Sequence, residues 1–387
     1  MRILTALTYY RPHISGLTIY TERLAKALAQ RGHEVTILTS QFDPSTPREE
    51  VKDNVLVVRA PVVMRVSKGV IMPTIGLLAS RLVLENEVVH LHLPQFDAAG
   101  IALRGRVLSK PTVLTYHCDL KLPPGLFNRT ANYAVNMMNH LAALSAHRIV
   151  TYTDDYARHS PYARRYYSKV HTILPPVELP SISKQAVDCF AQEYDLDGRS
   201  PVIGMAARFA AEKGIEVLLS ALPQVMEAYP NAVVLYAGQY EDVLGEEEYA
   251  ARLFPVIEKY QEKGQWRFLG VLDPSRMAAF YPNLDVLVVP SLNSTESFGL
   301  VQIEAMMNGV PVIASNLPGV RQPVAITGMG RTFPVGDPGA LAEALSSVLA
   351  NPHEIKSDPE IISQQFAPDA TAAAYEALYA QIKGEIG

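Results

Sequence analysis

Two glutamates eight positions apart, Glu296 and Glu304, flank a Phe-Gly-Leu turn in the stretch from Ser291 to Ser315. An apolar run precedes them, and a helical pattern starts at Leu300. Eight helical steps return to within about 80° of the starting direction, so both carboxylates fall on roughly one side. Carboxylates accept hydrogen bonds from sugar or ribose hydroxyls. Backbone N–H groups at a helix start attract anions and sugar oxygens. Such a pair suits a clamp for a sugar carried on a nucleoside diphosphate. Glu296 also reads simply as a charge that complements the helix dipole. Glu304, set among Ile303, Ala305 and Met306, is harder to explain as surface.

Four further strand ends carry residues of interest. Arg208 ends one apolar run and Lys213 precedes the next helical pattern. Two cations at a strand end can neutralise a diphosphate and stabilise it where leaving-group charge develops. Gly16, preceded by Ser15, opens the first helix, where the missing side chain allows close backbone approach. An ordinary strand-to-helix turn reads the same way. In Thr115-Tyr-His-Cys-Asp119, His117 is placed to touch a reacting sugar and Asp119 to orient it or bind an acceptor. A satisfied structural histidine competes with that reading. His90 and His92 share a face of another strand, but no third ligand accompanies them, so a structural or cleft-edge role is preferred over metal binding.

Short apolar runs alternate with helical patterns along the whole chain. Strands are expected at 2–7, 34–39, 55–60, 88–93, 112–116, 148–153 and 170–174, then at 202–207, 232–237, 266–269, 286–290 and 312–314. Helices are expected at 17–31, 96–108, 128–146 and 155–167, then at 215–228, 246–263, 274–281, 300–308 and 339–350. This is α/β architecture with two doubly wound parallel sheets, whose ligands bind beyond the carboxyl ends of the strands, facing a shared cleft. Proline-rich 176–200 reads as a linker with a short helix around 184–194. The expected division is 1–178 and 179–367, with a terminal helix over 368–387 packing back on the first domain.

At 387 residues, two domains are the default. Cys118 and Cys189 form no metal-type spacing, and the N-terminus enters a strand-like run without a signal-peptide layout, so a reduced, cytoplasmic protein is expected. The apolar window 70–84 falls short of the roughly 18 residues of a spanning helix. Net charge is −5, yet residues 1–180 hold 21 Lys and Arg against 13 Asp and Glu, whereas residues 181–387 hold 13 against 26. A basic first half suits a phosphate-bearing acceptor or an anionic membrane surface; chance segregation of surface charge explains it equally well. No nucleic-acid partner is expected. The Gly-x-Gly-x-x-Gly, P-loop, Gly-x-Ser-x-Gly and His-Glu-x-x-His patterns are all missing, which weakens dehydrogenase, kinase and hydrolase readings.

Taken together, the residues resemble family 4 retaining glycosyltransferases, which have the GT-B fold of two Rossmann-like domains. The resemblance rests on Gly16, Val89-His-Leu-His92, Thr115-Tyr-His117, Arg208, Glu212-Lys-Gly214, Pro290-Ser291, the 296–304 segment, Gly309-Val-Pro-Val-Ile-Ala314 and Pro334–Leu341. It implies that Glu304 binds the donor ribose. Glu296 and the backbone of Phe298, Gly299 and Leu300 would contact the donor sugar. Arg208 and Lys213 would hold the diphosphate, Gly16 would lie near phosphates or acceptor, and His117 near the reacting face. Catalytic roles fall to His117, Arg208, Lys213 and Glu296; Ser15, His92 and Asp119 are acceptor-side candidates. Many members have two adjacent glycines where this chain has Ser15-Gly16. The resemblance further implies retention at the anomeric carbon, a UDP- or GDP-sugar donor, a glycan, lipid or lipid-linked hydroxyl acceptor, and neither metal nor cofactor. A sugar-nucleotide epimerase of the same fold and a non-catalytic sugar-binding protein are the competing readings.

Overall fold

Every residue of the Val88–Leu93 strand is buried, including His90 and His92, and so is every residue of the neighbouring Thr112–Tyr116 strand. A strand covered on both faces needs helices on both sides, which parallel pairing with helical crossovers supplies. The structure, a computed structural model, describes residues 1–66, 69–120, 126–351 and 357–386. The chain divides into two compact units, Met1–Pro176 with Phe366–Gly387, and Val177–Gln365.

In the first unit eight strands form one sheet. Their order is Val170–Thr172, Arg148–Thr151, Thr112–Tyr116, Val88–Leu93, Arg2–Ala6, Glu34–Gln41, Val55–Pro61 and Glu49–Lys52. All pairs are parallel except the last, an antiparallel edge hairpin. That hairpin is absent from the sequence-based expectation because Glu49–Lys52 is mostly exposed and charged. Its turn carries the signal instead: Asp53 and Asn54 have φ of 52° and 60°, the left-handed pair that matches strand twist. Strand order reverses between Arg2–Ala6 and Val88–Leu93, which places a switch point at their carboxyl ends. The Pro368–Ile386 helix belongs to this unit. Arg31 pairs with Asp369 at 2.9 Å, and Tyr375, Tyr379 and Ile382 are buried.

The second unit holds six parallel strands in the order Trp266–Gly270, Val233–Ala237, Val202–Ala206, Val286–Val289, Val312–Ser315 and Gly330–Phe333. Here the order reverses between Val202–Ala206 and Val286–Val289, whose following loops carry Arg208 and Glu296.

The short helix expected around 184–194 forms as Lys184–Glu193 and buries Phe190 against Phe280 within the second unit. Three expectations need correction. The helix expected at 155–167 is broken into Asp154–His159 and Pro161–Arg165, because Pro161 removes an N–H donor and Ser160 caps the new start. An unexpected helix, Ile75–Glu85, begins just after Pro73. The Gly330–Phe333 strand was missed because two of its four residues are exposed, so it lacks a continuous apolar run. Among the described residues, no helix is long and apolar enough to cross a membrane.

Gly330 is held in this last strand at φ 152°, and a Cβ there would lie 1.9 Å from the Val312 carbonyl oxygen. Gly330→Ala is expected to destabilise the second unit by about 2–4 kcal/mol. Thermal unfolding at wild-type midpoint would contradict this.

Candidate functional site

Lys213 and Glu296 come from loops after neighbouring strands, and they touch. Lys213 Nζ donates to Glu296 Oε2 at 2.6 Å, with each side chain 21% exposed. The structure places Arg208, Lys213, Glu296 and Glu304 all in the second unit and joins Lys213 to Glu296 directly, because their strands are adjacent in one sheet. Burial works to lower the Lys213 pKa, but the Glu296 charge and hydrogen bond overcome it and leave the ammonium above its ordinary value. Arg208, exposed, donates from Nη2 to Glu212 Oε1 at 2.9 Å.

Backbone packing fixes this arrangement. The Leu292 N–H donates to the Glu212 carbonyl at 2.9 Å, tying the two loops together. Gly214, at φ 69°, sits so close to the Pro290 carbonyl that a Cβ would come within 2.1 Å. A second tie escaped sequence reasoning: Glu246 accepts the Ala211 N–H at 3.0 Å, holding the Ala211–Lys213 turn from below. One acidic residue at a helix start gives no sequence signal for that role.

Glu304 is the fifth residue of the Leu300–Met306 helix and is 7% exposed. Its Oε2 accepts the Tyr281 hydroxyl at 2.7 Å, a partner with no marker in the sequence. Phe298 is buried, and its carbonyl accepts from Gln302 Nε2 at 2.6 Å; the same amide reaches the Val320 carbonyl. Gly299 turns the chain at φ 80°. The 298–300 backbone is therefore clamped by Gln302.

The first unit gathers a separate set at its own switch point. Ser15 caps the Gly16–Gln30 helix: its Oγ accepts the Thr18 N–H at 3.2 Å and meets Thr18 Oγ1 at 3.0 Å. Ser15 Oγ is thus engaged locally, at the start of the helix. Gly16 has open space where a side chain would stand, so nothing in the fold itself demands glycine there. Asp119 Oδ1 accepts from Tyr116 at 2.8 Å and Ser160 at 2.7 Å, while its N–H donates to Tyr156. Its Oδ2 is buried, with no hydrogen-bond partner among the described residues.

His117 is 6% exposed, and its Nδ1 meets the Tyr152 hydroxyl. His92 Nδ1 lies 2.8 Å from His117 Nε2. With 0% exposure, His92 sits neither at a cleft edge nor within reach of an acceptor; it backs His117. His90 is likewise fully buried, bonded to Thr115 Oγ1 and the Tyr379 hydroxyl. Among the described residues, no group of three or more His, Cys, Asp or Glu is arranged to hold a metal ion.

Burial pushes His90 and His117 down to about 3 and holds His92 well below the ordinary range. All three are neutral at pH 7. The unfolded chain takes up protons near pH 6.5 while the folded chain does not, so stability is present above that pH and is lost as pH falls toward 3. Each histidine can contribute a slope of up to about 1.4 kcal/mol per pH unit. The melting temperature should therefore fall steadily from pH 7 to pH 5; an unchanged or rising value over that interval would contradict burial of the neutral forms.

The family model for glycosyl transferases group 1 matches residues 188–365, and that for glycosyltransferase family 4 matches 14–180. The chain is 27% identical over 346 residues to a phosphatidyl-myo-inositol mannosyltransferase of Mycobacterium leprae, covering 87% of this chain and 84% of the relative. It is 26% identical over 419 residues to a glycogen synthase of Mycobacterium tuberculosis, covering 100% and 96%. Anabaena HepE, solved with UDP, superposes with a TM-score of 0.76 at 18% identity, covering 98% of this chain and all of the other. The fold is GT-B. With both halves matched in chain order, the protein belongs to the group 1, family 4 glycosyltransferases.

Proposed function

We propose that this glycosyltransferase moves a sugar from a nucleoside diphosphate, with uridine or guanosine as base, to a hydroxyl of a glycan, lipid or lipid-linked acceptor, with retention and without a metal ion. The observation that carries the reading is the Lys213–Glu296 pair beside Arg208 and Glu304 at one switch point. An ammonium has three donors, so Lys213 can keep Glu296 and still donate to a phosphate oxygen. Arg208 offers a planar fork to the same diphosphate. Glu304, oriented by Tyr281, accepts from ribose hydroxyls. Glu296 and the clamped backbone of Phe298, Gly299 and Leu300 take the sugar.

In the reaction the bond between the anomeric carbon and the diphosphate oxygen breaks. The acceptor oxygen bonds to that carbon on the same face, and its proton passes to the departing diphosphate. Arg208 and Lys213 stabilise the charge that develops there, in place of a metal. His117, neutral and held at both ring nitrogens by Tyr152 and His92, borders the reacting face of the sugar. Gly16 leaves room for backbone approach near phosphates or acceptor, and Asp119 is the acceptor-side carboxylate.

The test is a panel of uridine, guanosine and adenosine diphosphate sugars, with acceptor-dependent turnover and the product anomer read by NMR, with and without EDTA. Arg208→Ala and Lys213→Ala should each lower kcat by about 10²-fold, with a smaller change in donor KM. Turnover equal to wild type in both variants, or product of inverted configuration, would overturn the reading.

For the acceptor, one feature favours a lipid surface. On the first unit Val63, Met64, Leu77, Leu84, Leu103 and Val107 are all more than half exposed. Exposed Arg81 and Arg106 stand on the same two helices as the last four. Apolar side chains flanked by cations suit an anionic bilayer. Arg59 does not contribute, being buried against Glu50, nor does Arg104, which is bonded to Ser80 and the Gly100 carbonyl. Lys68 lies outside the described residues. Arg81 shares its charge with Glu49 at 3.2 Å, which leaves Arg65, Arg106 and Lys110 to be counted. Co-sedimentation with phosphatidylserine vesicles is expected at low salt and should weaken at high salt; equal recovery with neutral vesicles would exclude the electrostatic part.

A further inference from the structure

Behind His117 runs a set of buried hydroxyls that no step of the proposed transfer uses. Thr115, two residues before His117 on the same strand, meets the Tyr375 hydroxyl at 2.6 Å. The Tyr375 hydroxyl also meets that of Tyr20 at 2.8 Å. Tyr20 stands edge-on to His117, with ring centroids 4.9 Å apart and planes at 90°. It also packs at 5.3 Å against Tyr152, whose hydroxyl is bonded to His117 Nδ1. Tyr20, Thr115 and Tyr375 are all 0% exposed.

One hydroxyl, on the C-terminal helix, therefore holds two elements that border His117: the strand leading into it and the ring that walls it. Phenylalanine would fill almost the same volume at positions 20 and 375 without burying a polar atom. A completely bonded polar network does something an apolar filler does not, since it selects one arrangement of its members. His117 is bonded at Nδ1 to Tyr152 and at Nε2 to His92, and the Tyr20 ring packs against all three of these side chains, so a shift of Tyr20 reaches His117 through both of its partners.

We propose that Tyr375 is a positioning residue for His117, fixing its ring through Thr115 and Tyr20. The proposal rests on the reading in which His117 meets the reacting sugar. A group displaced by about 1 Å from its working geometry can lose up to roughly a hundredfold in rate. The loss should fall on kcat, because the donor's diphosphate and ribose partners lie in the other unit and are untouched.

The experiment compares Tyr375→Phe with Ile382→Ala, a buried apolar change on the same helix. Steady-state kinetics, thermal midpoints and ¹⁵N imidazole NMR are measured for both on the full chain. Tyr375→Phe should lower kcat by about tenfold, leave donor KM unaltered and move the His117 ring signals. Ile382→Ala should lower the midpoint at least as far, with kcat and His117 signals as in wild type. Wild-type kcat and signals in Tyr375→Phe overturn the proposal, as does a kcat loss that simply follows the midpoint in both variants. His117→Ala separates the premise: full turnover there refutes the reading of His117, while the NMR comparison still decides whether Tyr375 positions it.

Discussion

Opposite charges brought to one sheet edge govern the second unit. Lys213 and Glu296 sit 83 residues apart in sequence and 2.6 Å apart in space because parallel strands that neighbour each other deliver their loops to the same end. Each would be costly to bury alone; together they hold an ammonium charged in a half-sheltered position. The close backbone packing around them follows from the same need. Gly214 lets its loop press on the Pro290 carbonyl, and Glu246 ties down the turn from the other side.

The first unit solves the opposite problem. Its strand ends carry imidazoles and phenols beside the single carboxylate of Asp119, and burial keeps the imidazoles neutral. The two units share a topological plan, with a reversal of strand order at the site, yet one presents fixed charge and the other directional hydrogen bonds.

Much of the frame is legible in the sequence, for physical reasons. Strands buried on both faces, such as Val286–Val289, must be continuously apolar, so they stand out from their surroundings. Gly330–Phe333 and Glu49–Lys52 are partly exposed and do not. The site residues were readable by type, since Arg208, Lys213, Glu296 and Glu304 all fall just beyond apolar runs. Their pairings were not. Which acid meets Lys213 depends on strand order, and which hydroxyl orients Glu304 depends on how Tyr281 packs. The histidine–tyrosine network is further out of reach: Thr115 and Tyr375 are 260 positions apart, and His90 and Tyr379 are 289 apart. Local pattern carries no information over such separations.

The helix Pro368–Ile386 completes the core of a unit whose other residues all precede Val177. During synthesis, the ribosome must therefore finish the whole second unit before the first can close over His90 and Tyr20. Until then His90 and Tyr20 lack the Tyr379 and Tyr375 hydroxyls that bond them, although all eight strands of the sheet have already been made. Assembly of this protein is necessarily out of order with its translation.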